Sequence, residues 1–271
     1  MPLKLNRNHK LGVAVLIVGV AAIGPAWSYL FPRAGEDKLS MKKNIAVLNA
    51  TVADEETGKS LPVDLTFVST HPLTFLSKEY ISRLTPKTDA SYERPYDAVL
   101  TVGRYSIREP AYPIDTNKES FCHGYMGTDI LIPTLRHPAS YITFYKSNEK
   151  WQLGAAPYRP GSDVTVLPVH KITIKDALYT VYGVDVQVAG KNTTCIFDTG
   201  FTAFLTTPQN ISPSEATITV GKKSLTGRQV SNRDLGSGIA LPEYPRIGFG
   251  ALPFNKITLD LSQNKLFLED N

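Results

Sequence analysis

The chain repeats itself, and a chain that carries one succession of segments twice must fold as two like units. Four segments recur in the same order. T-F-V-S-T-H-P-L-T-F-L-S, from Thr66 to Ser77, pairs with C-I-F-D-T-G-F-T-A-F-L-T, from Cys195 to Thr206. L-T-V-G-R-Y-S-I (Leu100 to Ile107) pairs with I-T-V-G-K-K-S-L (Ile218 to Leu225). G-Y-M-G, ending at Gly127, pairs with P-R-I-G, ending at Gly248. I-T-F-Y-K-S-N-E-K-W-Q-L (Ile142 to Leu153) pairs with I-T-L-D-L-S-Q-N-K-L-F-L (Ile257 to Leu268) without a gap. Alternation of apolar and polar residues in these segments predicts half-buried strands. S-N-E-K and S-Q-N-K predict hairpin turns, and the T-V-G segments put Gly103 and Gly221 where a tight turn needs a positive φ.

Thirteen Tyr, eleven Phe and nineteen each of Gly and Pro suit strands and turns better than helices. A composition of 42% hydrophobic and 20% charged residues belongs to a folded protein and excludes extended disorder. The net charge of +4, with no basic run interleaved with aromatics, gives nucleic-acid binding no support. The Gly/Pro-rich stretch L-G-A-A-P-Y-R-P-G-S-D, Leu153 to Asp163, reads as a linker between the halves. The expected division is therefore an N-terminal segment 1–31, a charged tether 32–43, a first lobe 44–153, a linker 154–163 and a second lobe 164–271.

Lys4, Arg7 and Lys10 precede Leu11 to Phe31, 21 residues without a charge and long enough to cross a bilayer core. Trp27, Tyr29 and Phe31 suit an aromatic belt, so a signal anchor is the favoured reading. The rival is a cleaved signal peptide ending near Ala26. Under either, the rest of the chain is expected on the extracytoplasmic side of a membrane. Cys122 and Cys195 build no metal site and no disulfide framework; two separate buried thiols, or one bridge, are both open. His123 and His137 stand at no ligand spacing, and no metal or cofactor is expected.

One segment carries chemistry. Ile196 to Thr202 reads I-F-D-T-G-F-T, an apolar strand that delivers Asp198 to a turn where Gly200 lets the backbone pass closely. Hydroxyls on Thr199 and Thr202 can orient that turn. With Gly248 fifty residues later and a terminal I-T-L-D…L-F-L hairpin, the second half resembles the pepsin-like and retropepsin-like aspartic proteases. The resemblance implies an all-β fold of two barrel lobes. It implies that Asp198 is one half of a catalytic pair, that Thr199 locks the two turns together, that Thr202 buttresses the carboxylate, and that Gly127 and Gly248 lie beside the turns.

That chemistry needs a water held between two carboxylates roughly 3 Å apart that share one proton. The repeat places Ser69-Thr70-His71-Pro72 opposite D-T-G-F, so Ser69 stands in the partner's position, Thr70 keeps the locking threonine and His71 replaces the glycine. Ser69 can hold a water but is no base near neutral pH. Asp64, five residues upstream, would have to leave its register to substitute. A trio of Asp198, His71 and Ser69 is conceivable as a nucleophile arrangement, although adjacent placement on one turn makes it awkward. The expectation is a membrane-anchored, aspartic-protease-like protein that has lost proteolysis and serves as a binding or accessory subunit, with a peptide or protein partner in the interlobe cleft. The alternative is an active endopeptidase in which two chains pair their second lobes, each contributing Asp198.

Overall fold

The computed structural model describes residues 36–42, 45–55, 57–84, 95–102, 105–115, 122–133, 138–155, 157–174, 179–201, 203–209, 211–232 and 243–270. The expected span 11–31, together with Gly103, His137 and Thr202, lies outside them. No helix among the described residues is long and apolar enough to cross a membrane.

The first half contains β1 (Glu36–Lys42), β2 (Ile45–Asp54), β3 (Ser60–Phe67), β4 (Thr74–Ser77), the short helix α1 (Lys78–Leu84), β5 (Tyr96–Val102), β6 (Tyr105–Ile114), β7 (Gly124–Met126), β8 (Tyr141–Tyr145) and β9 (Lys150–Gly154). The second contains β10 (Val164–Ile174), β11 (Tyr179–Val188), β12 (Lys191–Asp198), β13 (Leu205–Thr207), β14 (Ser214–Val220), β15 (Lys223–Ser231), β16 (Arg246–Gly248), β17 (Lys256–Asp260) and β18 (Lys265–Glu269). The protein is all-β, with two barrel-like lobes.

Each half lays two parallel pairs among antiparallel ones, β3–β7 and β4–β6 in the first and β12–β16 and β13–β15 in the second. In the first, β3 runs beside β7 with Phe67 opposite Met126. In the second, β12 runs beside β16 with Phe197 opposite Ile247 and Asp198 opposite Gly248. The hairpins β5–β6 and β14–β15 also correspond. Gly221 at the β14–β15 turn has φ +60°, the left-handed conformation the T-V-G pattern predicts. Glu149 and Asn264 close the β8–β9 and β17–β18 turns at φ 51° and 52°.

The halves are joined by a six-stranded antiparallel sheet in the order β1, β9, β8, β17, β18, β10. At its centre Thr143 faces Thr258, its own counterpart in the repeat, with the two hydroxyls 2.8 Å apart. Ile142 and Phe144 on one strand are opposite Leu259 and Ile257 on the other, so the pseudo-twofold axis passes between the two threonines. One side of this sheet is core: Phe144 packs on Phe67 of the first lobe at 5.9 Å and on Phe249 of the second at 5.1 Å. A single hydrophobic cluster therefore runs through both lobes.

The tether expected at 32–43 is corrected: residues 36–42 form a strand paired with β9 and then with β2. Symmetry supplies the reason. Lys38 stands opposite Lys150 as Pro168 stands opposite Lys265, so β1 is the counterpart of β10, and the sheet needs both edges.

Gly127 and Gly248 admit no side chain. A Cβ on Gly248 would lie 2.2 Å from the carbonyl oxygen of Ala203, and one on Gly127 2.4 Å from that of Leu73. Gly248→Ala is expected to cost about 3 kcal/mol through forced backbone movement, read as a lowered urea midpoint with unchanged slope.

Candidate functional site

The two turns meet on the pseudo-twofold axis. Strand β12 delivers Asp198, Thr199 and Gly200, and β3 delivers Val68, Ser69 and Thr70. The backbone N–H of Ser69 donates to Thr199 Oγ1 at 3.0 Å, and the Thr199 hydroxyl donates to the Phe67 carbonyl at 2.5 Å. Reciprocally, the N–H of Thr199 donates to Ser69 Oγ at 3.1 Å, and the Ser69 hydroxyl donates to the Phe197 carbonyl at 2.6 Å. Ser69 and Thr199 thus perform the same act from opposite lobes, and all four groups are buried.

This exchange moves the register of the repeat by one residue. Ser69 is the counterpart of Thr199, so the counterpart of Asp198 is Val68. Two further observations agree. The residue after Phe67 comes level with Gly127 as Asp198 is level with Gly248. The His71 N–H bonds the Val68 carbonyl at 3.1 Å, and the Phe201 N–H bonds the Asp198 carbonyl at 3.3 Å. The expected placement of Ser69 opposite the acid, Thr70 opposite the locking threonine and His71 opposite the glycine is corrected accordingly. Thr70 corresponds to Gly200, and its buried hydroxyl finds no hydrogen-bond partner among the described residues. His71 corresponds to Phe201. Val68 therefore stands at the repeat position of Asp198.

Asp198 itself is closed off. It is 1% exposed. Oδ1 accepts the Gly200 N–H at 3.0 Å, and Oδ2 is ion-paired with Nη2 of Arg246, a side chain that is itself buried. The Arg246 guanidinium also lies over the Phe201 ring, 4.7 Å from its centroid. Strand pairing places Arg246 opposite Ile196 just as Tyr125 is placed opposite Thr66. The second lobe therefore carries a cation where the first carries a phenol. Across the turns, Val68 brings its methyls against Gly200: a Cβ there would lie 2.9 Å from Val68 Cγ2. Among the described residues, a carboxylate paired with arginine and facing valine has no second acid beside it with which to share a proton.

The remaining candidates are equally committed. The Ser69 hydroxyl is spent on Phe197 and Thr199, which leaves no nucleophile for a trio with His71. Burial lowers the His71 imidazole below its usual value; Asp198 pulls it back up and Arg246 pushes it further down. The unfolded chain therefore binds the proton more readily, and stability is lost as pH falls through 6.5 toward the native value of His71. His71→Phe, matching its counterpart Phe201, is expected to flatten that part of the stability–pH curve measured by urea titration. Cys122 and Cys195 are buried thiols not joined in a disulfide, and burial pushes the Cys195 thiol up to about 12, which makes it inert. His123 accepts the Asp64 N–H at 3.0 Å and stacks near Tyr80. No cluster of metal-ligating side chains occurs among the described residues.

The sequence matches no family model and no curated protein. Among solved structures the chain is similar to the crystal structure of an aspartic proteinase from Irpex lacteus, with a TM-score of 0.54 over 87% of this chain and 97% of that one. The chain has the pepsin-like fold. At 14% identity the likeness speaks for the fold alone. In this pepsin-like chain Arg246 and Val68 are the residues that sequence reading missed. A signal for the first was present: an arginine in a strand otherwise apolar and bounded by Gly248 has to find an acid once buried.

Proposed function

We propose that the protein is a pepsin-like scaffold that has lost proteolysis and works by binding, as an accessory subunit of a membrane assembly. The observation that carries this reading is the buried ion pair of Asp198 with Arg246, opposite Val68. General acid–base cleavage of a peptide needs one neutral and one ionised carboxyl on the same water. Here a fixed cation is paired with Asp198, the only carboxylate that the described residues place in the two turns.

The alternative of an active dimer meets an obstacle in the same place. The face of the Asp198 turn that a second copy would have to approach is bonded to Ser69 of the chain's own first lobe. Leu11 to Phe31 is taken as a membrane anchor, with the lobes on the extracytoplasmic side and a protein or peptide partner engaged by the cleft or the outer faces. Gentle detergent extraction of the tagged full chain, followed by affinity purification, is expected to return a stoichiometric protein partner. A chain that leaves the membrane alone under cross-linking contradicts the subunit reading.

A further inference from the structure

A lysine stands where the repeat calls for a leucine. Lys146 follows β8, and its counterpart in the second lobe is Leu261, which packs against the core. Backbone bonds fix the correspondence: the Lys146 N–H donates to the Asn255 carbonyl at 2.7 Å, and the Leu261 N–H donates to the Ser140 carbonyl at 3.1 Å. The lysine keeps the half-buried place of the leucine. Its Nζ lies 5.3 Å from the centroid of Phe249, a fully buried ring of the core, and donates to the Leu252 carbonyl at 2.7 Å. One of its three N–H groups is thereby used.

No acid of the chain answers this charge. Burial lowers the Lys146 ammonium to about 8, and no carboxylate acts on it in the other direction; Glu149, in the same hairpin, is exposed and forms no ion pair with it. Among the described residues every other lysine or arginine that is not exposed has an acid: Lys78 has Asp115, Lys223 has Asp270, Arg246 has Asp198 and Lys256 has Glu269. Lys223 offers a direct comparison. It lies over the Phe254 ring at 4.8 Å and donates to the next carbonyl along, that of Pro253, at 3.0 Å. The setting of Lys146 thus recurs there with a carboxylate in place. A half-buried charge without an acid weakens a fold, and departures of this kind are kept where function needs them. We infer that Lys146 receives a carboxylate of a protein partner, which completes at the interface the ion pair that this chain leaves open. The inference rests on the reading that the protein works by binding. A pair enclosed in this way fixes the partner's position and rejects proteins that lack the acid.

The test treats the detergent-extracted complex of the tagged full chain with a carbodiimide, which joins an amine only to a carboxylate in contact with it. Mass spectrometry is expected to find Lys146 joined to an aspartate, a glutamate or the chain terminus of the partner. Lys146→Leu installs the residue of the other lobe. It is expected to hold or raise the urea midpoint while weakening the apparent affinity for the co-purified partner by about thirtyfold or more. A partner bound equally well by the leucine variant, or joined only through other lysines, overturns the docking assignment and leaves the binding reading standing. A chain recovered without any protein partner overturns both.

Discussion

Replacing Arg246 by leucine is expected to destabilise the fold by about 3–5 kcal/mol, the cost of leaving a buried carboxylate without its cation. Asp198 would keep one hydrogen bond, from the Gly200 N–H at 3.0 Å, which does not offset the loss of a charge partner in a site 1% exposed. The double variant Asp198→Asn with Arg246→Leu removes both charges while keeping an acceptor for Gly200, and is expected to recover most of the loss. Urea unfolding of the two single variants and the double closes a thermodynamic cycle whose coupling reports the ion pair. Arg246→Leu with wild-type stability would mean that the pair contributes nothing. In a two-acid site the same aspartate could become asparagine at little structural cost, because there it is not held by a cation.

The second large effect belongs to Ser69. Its hydroxyl and N–H make three of the bonds that tie one turn to the other. Ser69→Ala leaves the Phe197 carbonyl and the Thr199 N–H buried without that partner, at about 1–3 kcal/mol for each group. A total loss of roughly 2–6 kcal/mol is expected on that basis, together with faster amide exchange at Thr199. Ser69→Thr keeps the hydroxyl and reproduces the residue used by the other lobe, so it is expected to stay near wild type. If alanine and threonine behave alike, the reciprocal bonds do not hold the turns together.

How far the sequence led can be judged from single residues. The duplicated segments around Thr143 and Thr258 announced two like lobes, because a strand pair on a symmetry axis must repeat its pattern in both strands. Strands β5, β6, β14 and β15 were legible from alternation and from the glycine turns. The first strand of the first lobe was not. Glu36 to Lys42 is charged and short, and only the demand of the sheet for a second edge makes it a strand. At the turns, side-by-side comparison aligned Thr70 with Thr199 because identical letters attract, whereas Ser69 does the work of Thr199 with the same hydroxyl and one methyl fewer. That single step put the counterpart of Asp198 at Ser69 instead of Val68. Arg246 escaped notice because its role depends on Asp198, 48 residues away, and a local pattern holds no record of such a pair.

The most direct test of the account is cleavage of an acid-denatured protein by the purified full chain, followed from strongly acidic to neutral pH with and without a pepstatin-type inhibitor. The expected result is no cleavage above that of the Asp198→Asn variant at any pH. Cleavage that the inhibitor blocks and that Asp198→Asn abolishes would contradict it.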